Sequence, residues 1–283
     1  MSGIDFQVID QKIYALDDQI SFEEAQKRAG DRSQGAFGMI SKFLSRPEGG
    51  DITLVYSEKR YEPFWYVLCT THLEYNRMRE IGFEVDDVVR SVTINGVAHG
   101  TPRGSKKMAI EGVEYCVEDL KKEIFLDADS GKGEKGFQKY VGFKKHEIRE
   151  TEELSAGETI IVPAKVKASY LVRNFLSQML KPVKADDILA EQIRIEKLYL
   201  FFRPIYAFEY QWKSKGKYAI LEIDGLTLDV KSGGKAIKLK LKEAIIEADL
   251  FDLGADAVGL FVPGGSFALK AAKKGVELLH KKK

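Results

Sequence analysis

The sequence predicts an α+β protein of two related units, each a helix packed on an antiparallel sheet, with a helical tail after the second. Three observations carry this. Two aromatic, β-branched stretches, Phe64–Tyr75 and Ile205–Trp212, are each led by a proline, Pro63 and Pro204. Each is preceded by a helical stretch that ends at a proline, Phe43-Leu44-Ser45-Arg46-Pro47 in the first half and Gln178-Met179-Leu180-Lys181-Pro182 in the second. A turn also recurs, Phe125-Leu126-Asp127-Ala128-Asp129-Ser130-Gly131 against Glu222-Ile223-Asp224-Gly225-Leu226-Thr227. Repeating such a unit makes physical sense, because a helix with one apolar stripe needs an apolar sheet face to cover.

Taken in order, residues 4–16 alternate and predict a short strand. Ser21 followed by Glu24 is a capping box, so a helix starts near Phe22. A second helical piece runs from Phe37 to Ser45 and stops at Arg46-Pro47-Glu48-Gly49-Gly50. Strands follow at Ile52–Glu58, Phe64–Tyr75, Val88–Ile94 and Lys107–Glu111, with Asn95-Gly96 as a hairpin turn. Val113–Lys122 is expected as a short helix and Glu123–Leu126 as a strand. The Gly- and Lys-rich run Ser130–Gly136 is a loop, and the charged, irregular residues 137–160 mark a domain boundary.

In the second half, Leu171, Val172, Phe175, Leu176, Met179 and Leu180 recur at helical spacing and predict a helix over Lys167–Leu180. Strands are expected at Gln192–Phe202, Ile205–Trp212, Lys217–Ile223 and Thr227–Val230, and a helix at Leu239–Leu253. The first unit thus covers 1–150 with an inserted β-rich block near 77–120, and the second covers 151–253. Residues 254–283 form a glycine-rich segment and an amphipathic, lysine-ended helix.

Composition narrows the function classes. Of 283 residues, 44 are basic and 43 acidic, so no global field favours nucleic acid or an anionic membrane. Two cysteines, Cys69 and Cys116, cannot build a disulfide framework. Met1–Asp10 has neither the basic region nor the apolar run of a signal peptide, and no stretch reaches membrane-spanning length. The expected compartment is the cytoplasm.

The sharpest chemical constellation is Cys69, His72 and Cys116. Cys-x-x-His is a metal-ligand spacing, and a fourth ligand such as His99 would close a zinc site. Against it, residues three apart on a strand point to opposite faces. The same residues lack the orienting group and oxyanion hole of a Cys–His nucleophile. Gly131-Lys132-Gly133-Glu134-Lys135-Gly136 lacks the Lys-Ser/Thr pair of a phosphate loop, and Asp127 and Asp129 lack the glycine and glutamate of a calcium loop. No catalytic residue is assigned.

Lys213, Lys215, Lys217, Lys231, Lys235, Lys238, Lys240 and Lys242, beside Tyr206, Tyr210, Trp212 and Tyr218, form a pattern compatible with single-stranded nucleic acid. A solvated lysine face that blocks edge pairing is the preferred reading. The aromatic strands present one set of rings to the core; core on both faces, through helix cover or dimerisation, is the preferred reading of the other set, and Trp65, Tyr206 and Trp212 are the candidates for lining a ligand groove. The tail is read as a docking arm, with an interfacial membrane contact as the alternative.

Lys217–Thr227 resembles the final hairpin of PepSY-like domains, small binding or regulatory modules, although Leu228 stands where that module has glycine. Tyr56–Trp65, Arg203–Trp212 and Leu250–Gly265 resemble an uncharacterised bacterial protein family of unassigned activity, which implies a bacterial origin and adds no chemistry.

The function expected from these readings is non-catalytic: a binding or scaffold protein that self-associates as a homo-oligomer or docks a protein partner, without a cofactor. The alternatives are a metal-dependent hydrolase at the Cys/His site, with zinc as cofactor, and single-stranded nucleic-acid binding through the lysine-rich second sheet.

Overall fold

A computed structural model describes residues 4–37, 50–149, 151–154, 159–179, 183–234 and 251. The expected helices over Phe37–Ser45 (beyond Phe37 itself) and Leu239–Leu253 (apart from Phe251), and the tail 254–283, lie outside the described residues. So do Lys235, Lys238, Lys240 and Lys242.

The expected pair of helix-plus-sheet units is corrected by the topology. The protein is predominantly β and is built on one mixed sheet, nine-stranded among the described residues. Its spine is two long strands, β3 (Ile52–Glu84) and β9 (Asp187–Trp212), one from each half of the chain. They pair antiparallel from Ile52 opposite Trp212 to Asn76 opposite Asp187. The two proline-led ribbons are therefore partners in one sheet. Each buries backbone polar groups against the other, so neither half closes a sheet of its own.

Three shorter strands lie along β9: β1 (Asp5–Val8) and β2 (Gln11–Leu16) parallel to it, and β10 (Lys217–Asp224) antiparallel. On the far side of β3 lie β6 (Lys107–Asp127), antiparallel, and β8 (Ile160–Ile161), parallel. Strands β7 (Lys145–Glu147) and β11 (Val230–Ser232) extend the sheet from β2 and β10. The expected boundary region is thus threaded onto the sheet by β7 and β8.

Pro63 and Pro204 do not interrupt their strands, although separate strands were expected around each. The carbonyl of Pro63 accepts from Ala128 N–H at 3.1 Å, and that of Pro204 from Gly225 N–H at 2.9 Å. A strand residue directs its N–H and C=O to the same side, so each missing donor faces away from the β3–β9 ladder. Neither proline costs that ladder a bond. The two turns that follow also match. Asp127 Oδ1 accepts from Ser130 N–H, and Asp224 Oδ1 from Leu226 and Thr227 N–H. Gly131 and Leu228 then take left-handed backbone angles, φ 76° and 63°.

Helix α1 (Phe22–Arg32) begins at Ser21, whose Oγ accepts from Glu24 N–H at 3.2 Å, as the capping box predicts. It packs Ala25 and Ala29 on Tyr206, Phe208, Tyr210, Leu221 and Ile223 of the second-half hairpin. Helix α2 (Ala168–Met179) packs Leu171, Val172, Phe175 and Leu176 on Trp65, Val67 and Cys69 of the first half, and on Ile193 and Leu198. Each helix therefore covers strands beyond its own half. Antiparallel pairing sets the start of β3 beside the end of β9, which carries α1 across. On the opposite face, Phe64 stacks on Phe201 (5.1 Å between centroids) and on Phe137 (4.7 Å) beneath the 3-10 turn Lys135–Gly142.

Val113–Lys122 is strand, not the expected helix. The apolar residues Val113, Val117 and Leu120 have helical spacing, but Val113, Tyr115 and Val117 also alternate. The unpaired edge of β3 supplies a ladder that the strand form satisfies. Beyond Asn76, β3 and β6 continue as a two-stranded ribbon. It is tipped by the hairpin β4 (Ser91–Ile94) and β5 (Val97–Gly100), whose Asn95-Gly96 turn takes positive φ at both residues.

Candidate functional site

The residues singled out in the sequence separate in the fold. Cys69 is fully buried and faces α2, while His72 projects from the opposite face of β3. Cys116 shares the face of Cys69 but pairs with Tyr75, six residues along β3, or about 20 Å away. The three do not converge. Among the described residues no group of three or more His, Cys, Asp or Glu side chains is arranged to hold a metal ion. Burial, and then Glu196, push the Cys69 thiol up to about 12.

Trp65, Tyr206 and Trp212 all lie in the core, and each polar tip is satisfied inside the chain. Trp65 donates to the Val166 carbonyl at 2.8 Å, and Tyr206 to Asp18 Oδ1 at 2.7 Å. Trp212 donates to Asp51 Oδ2 at 2.6 Å. Tyr210 is buried as well, so Tyr218 is the one ring of the lysine-rich constellation that is exposed.

The sequence reading missed a buried charged array on the sheet face opposite the helices. Arg60, 2% exposed, reaches Glu58 Oε1 at 2.8 Å, Glu62 Oε1 at 2.8 Å and Glu222 Oε1 at 2.5 Å. Arg203 bridges Glu62 Oε2 at 2.6 Å, the Tyr140 hydroxyl at 3.0 Å and Asp224 Oδ2 at 3.4 Å. Tyr140 in turn donates to Asp224. Burial opposes the charge on both arginines, but the carboxylates outweigh it and raise both pKa values. Burial and then the Asp224 hydrogen bond raise the Tyr140 phenol, so it remains a donor. A shallow open cleft of about 290 Å³ lies beside the array, lined by Arg60, Glu62, Pro63, Asp127 and Glu222 among others. Its charged groups are tied to one another, which suits structural locking of the two halves.

A second feature is the outer edge of the β3–β6 hairpin. Met78, Val113, Tyr115 and Val117 stand in a row on one side of it, 63%, 64%, 59% and 48% exposed. Leu120, 48% exposed, lies farther along on the other side. The row is anchored by a polar chain: Tyr115 donates to Glu74 Oε2 at 2.7 Å, Glu74 Oε1 meets His72 Nε2 at 2.9 Å, and His72 Nδ1 meets Asp119 Oδ1 at 2.8 Å. Hydrogen bonds from the ring to Asp119 and then to Glu74 raise the His72 pKa above its ordinary value.

Backbone direction along this edge is fixed by two bonds. Phe125 C=O accepts from Glu134 N–H, and Asp127 N–H donates to the Lys132 carbonyl. The odd-numbered residues of β6 therefore turn their N–H and C=O outward, and the even-numbered ones bond β3. Among the described residues no strand pairs with the outward groups from Lys107 to Glu123. Alternation at Val113, Tyr115 and Val117 was the signal that could have located this edge. No helix among the described residues is long and apolar enough to cross a membrane. Comparison of the chain with protein-family models, curated proteins and solved structures finds no match.

Proposed function

We propose that this chain is a non-catalytic docking protein of the cytoplasm that offers the outer edge of the β3–β6 hairpin to another polypeptide strand. One observation carries the reading: a long strand edge with outward N–H and C=O groups, beside exposed Met78, Val113, Tyr115 and Val117. Edges of this kind are normally shortened, bulged or covered, because they template pairing with another chain. Main-chain bonds along the edge would supply affinity, and the side chains beside it would supply selectivity. The buried array around Arg60 and Arg203 supports the same reading, since it stiffens the sheet from which the hairpin extends.

Site-specific photo-crosslinking in cells that produce the protein tests this. A photoreactive residue at Tyr115 or Leu120 is expected to give protein adducts, and one at Tyr170, equally exposed on α2, is expected to give none. Absence of adducts at both edge positions, or equal capture at Tyr170, refutes the docking role.

A further inference from the structure

We infer that the strand received by this edge is the same edge of a second copy, paired antiparallel so that Leu120 faces the partner's Leu120. The inference rests on the docking reading above and names its occupant.

Hydrogen-bond direction restricts the register first. In an antiparallel pair, outward-facing residues must sit opposite outward-facing residues. With odd residues facing outward on both copies, the two-fold axis must pass through a residue and not between two. At the C-terminal end the edge stops at Phe125, whose carbonyl already accepts from Glu134.

Charge then selects among axes over Val117–Glu123. Axes through Glu118, Asp119, Lys121, Lys122 or Glu123 set like charges face to face. An axis through Val117 sets no charged residue opposite its counter-charge. The axis through Leu120 places Glu118 opposite the partner's Lys122 and Asp119 opposite the partner's Lys121. Symmetry doubles both pairs, giving four ion pairs around an apolar centre. Val117, Leu120, Lys121 and Glu123 are exposed, and among the described residues no strand covers this segment. A seven-residue pairing is small, so the association is concentration-dependent and not permanent.

Sedimentation over a concentration series and oxidative crosslinking, with five variants checked for native melting, test the inference. Wild type is expected to dimerise reversibly. Lys121→Glu and Asp119→Lys are each expected to weaken association about tenfold, since each turns two attractions into two repulsions. Asp119→Lys combined with Lys121→Asp restores it, because the swapped charges meet again. In a Cys116→Ser background, Leu120→Cys gives a covalent dimer under mild oxidation and Val113→Cys does not. Residues on the axis form a non-hydrogen-bonded pair with close side chains, whereas Val113 lies outside the paired segment.

A wild type that stays monomeric, association indifferent to Lys121→Glu, or equal crosslinking at position 113 overturns the inference. The photo-crosslinking experiment separates the two levels. Adducts with another protein and none with a second copy leave the docking reading standing and remove this one; no adduct removes both.

Discussion

Arg203 lies directly opposite Glu62 where the two long strands cross their prolines, with Nη2 2.6 Å from Glu62 Oε2. The same guanidinium reaches Asp224 and Tyr140, so one side chain from the second half closes a charge network begun in the first. Arg203→Met leaves Glu62 and the buried Asp224 without this counter-charge. The expected cost is about 3 kcal/mol, the usual scale for breaking a largely buried pair from one side. Urea unfolding should show a lower midpoint at unchanged slope. Wild-type stability in Arg203→Met would mean that the array does not join the halves.

Gly225 approaches the Pro204 ring more closely than any side chain allows. A Cβ at this position would meet Pro204 Cγ at 2.9 Å and the Pro204 carbonyl oxygen at 3.0 Å, and neither atom belongs to a flexible chain end. The turn after β6 makes the corresponding bond through Ala128, which is fully buried and keeps its Cβ. Gly225→Ala is therefore expected to destabilise by about 1–3 kcal/mol through overpacking, read as a lowered thermal midpoint. An unchanged midpoint would show that Pro204 can shift.

The local devices of this fold were legible: the Ser21 cap, the Asn95-Gly96 hairpin, the α2 stripe, and the aspartates that open both turns. What failed was the partner of each device. Pro63 and Pro204 read as strand breaks, because a sequence does not show on which side a missing N–H will fall. The aromatic strands read as two sheets, because local alternation is the same whether a strand pairs within its half or across to the other. Val113–Lys122 read as helix, because its spacing fits two periods and the ladder offered by β3 decides between them. Trp65, Tyr206 and Trp212 stood out as large rings, and for the same reason they fill the core. The exposed edge is built from Val117, Leu120 and ordinary charges, residues that acquire meaning once the ladder direction is known.

The two thiols should differ in reactivity. Cys69 is fully buried with its pKa pushed up to about 12, while Cys116 is half-buried on the edge strand β6. The thiolate is the reactive form, so at pH 8 the folded protein should be alkylated at Cys116 and spared at Cys69. Unfolding should expose both. Mass spectrometry of peptides after brief alkylation measures this, and comparable labelling of Cys69 in the folded state would contradict its place beneath α2.

His72 should make stability fall as pH rises. Asp119 and Glu74 accept hydrogen bonds from its ring and favour the charged form, so its folded pKa lies above the unfolded value of about 6.5. Between those two values the folded protein binds more proton than the unfolded chain. The stabilisation is thus complete below the unfolded pKa and disappears as pH passes the folded one. His72→Gln should flatten this part of the stability–pH curve. Asp119→Asn should return the imidazole midpoint, followed by NMR, toward the ordinary histidine value. A midpoint already at that value in the wild type would mean that Asp119 and Glu74 do not hold the ring. The polar chain along the edge would then shrink to the bond from Tyr115 to Glu74.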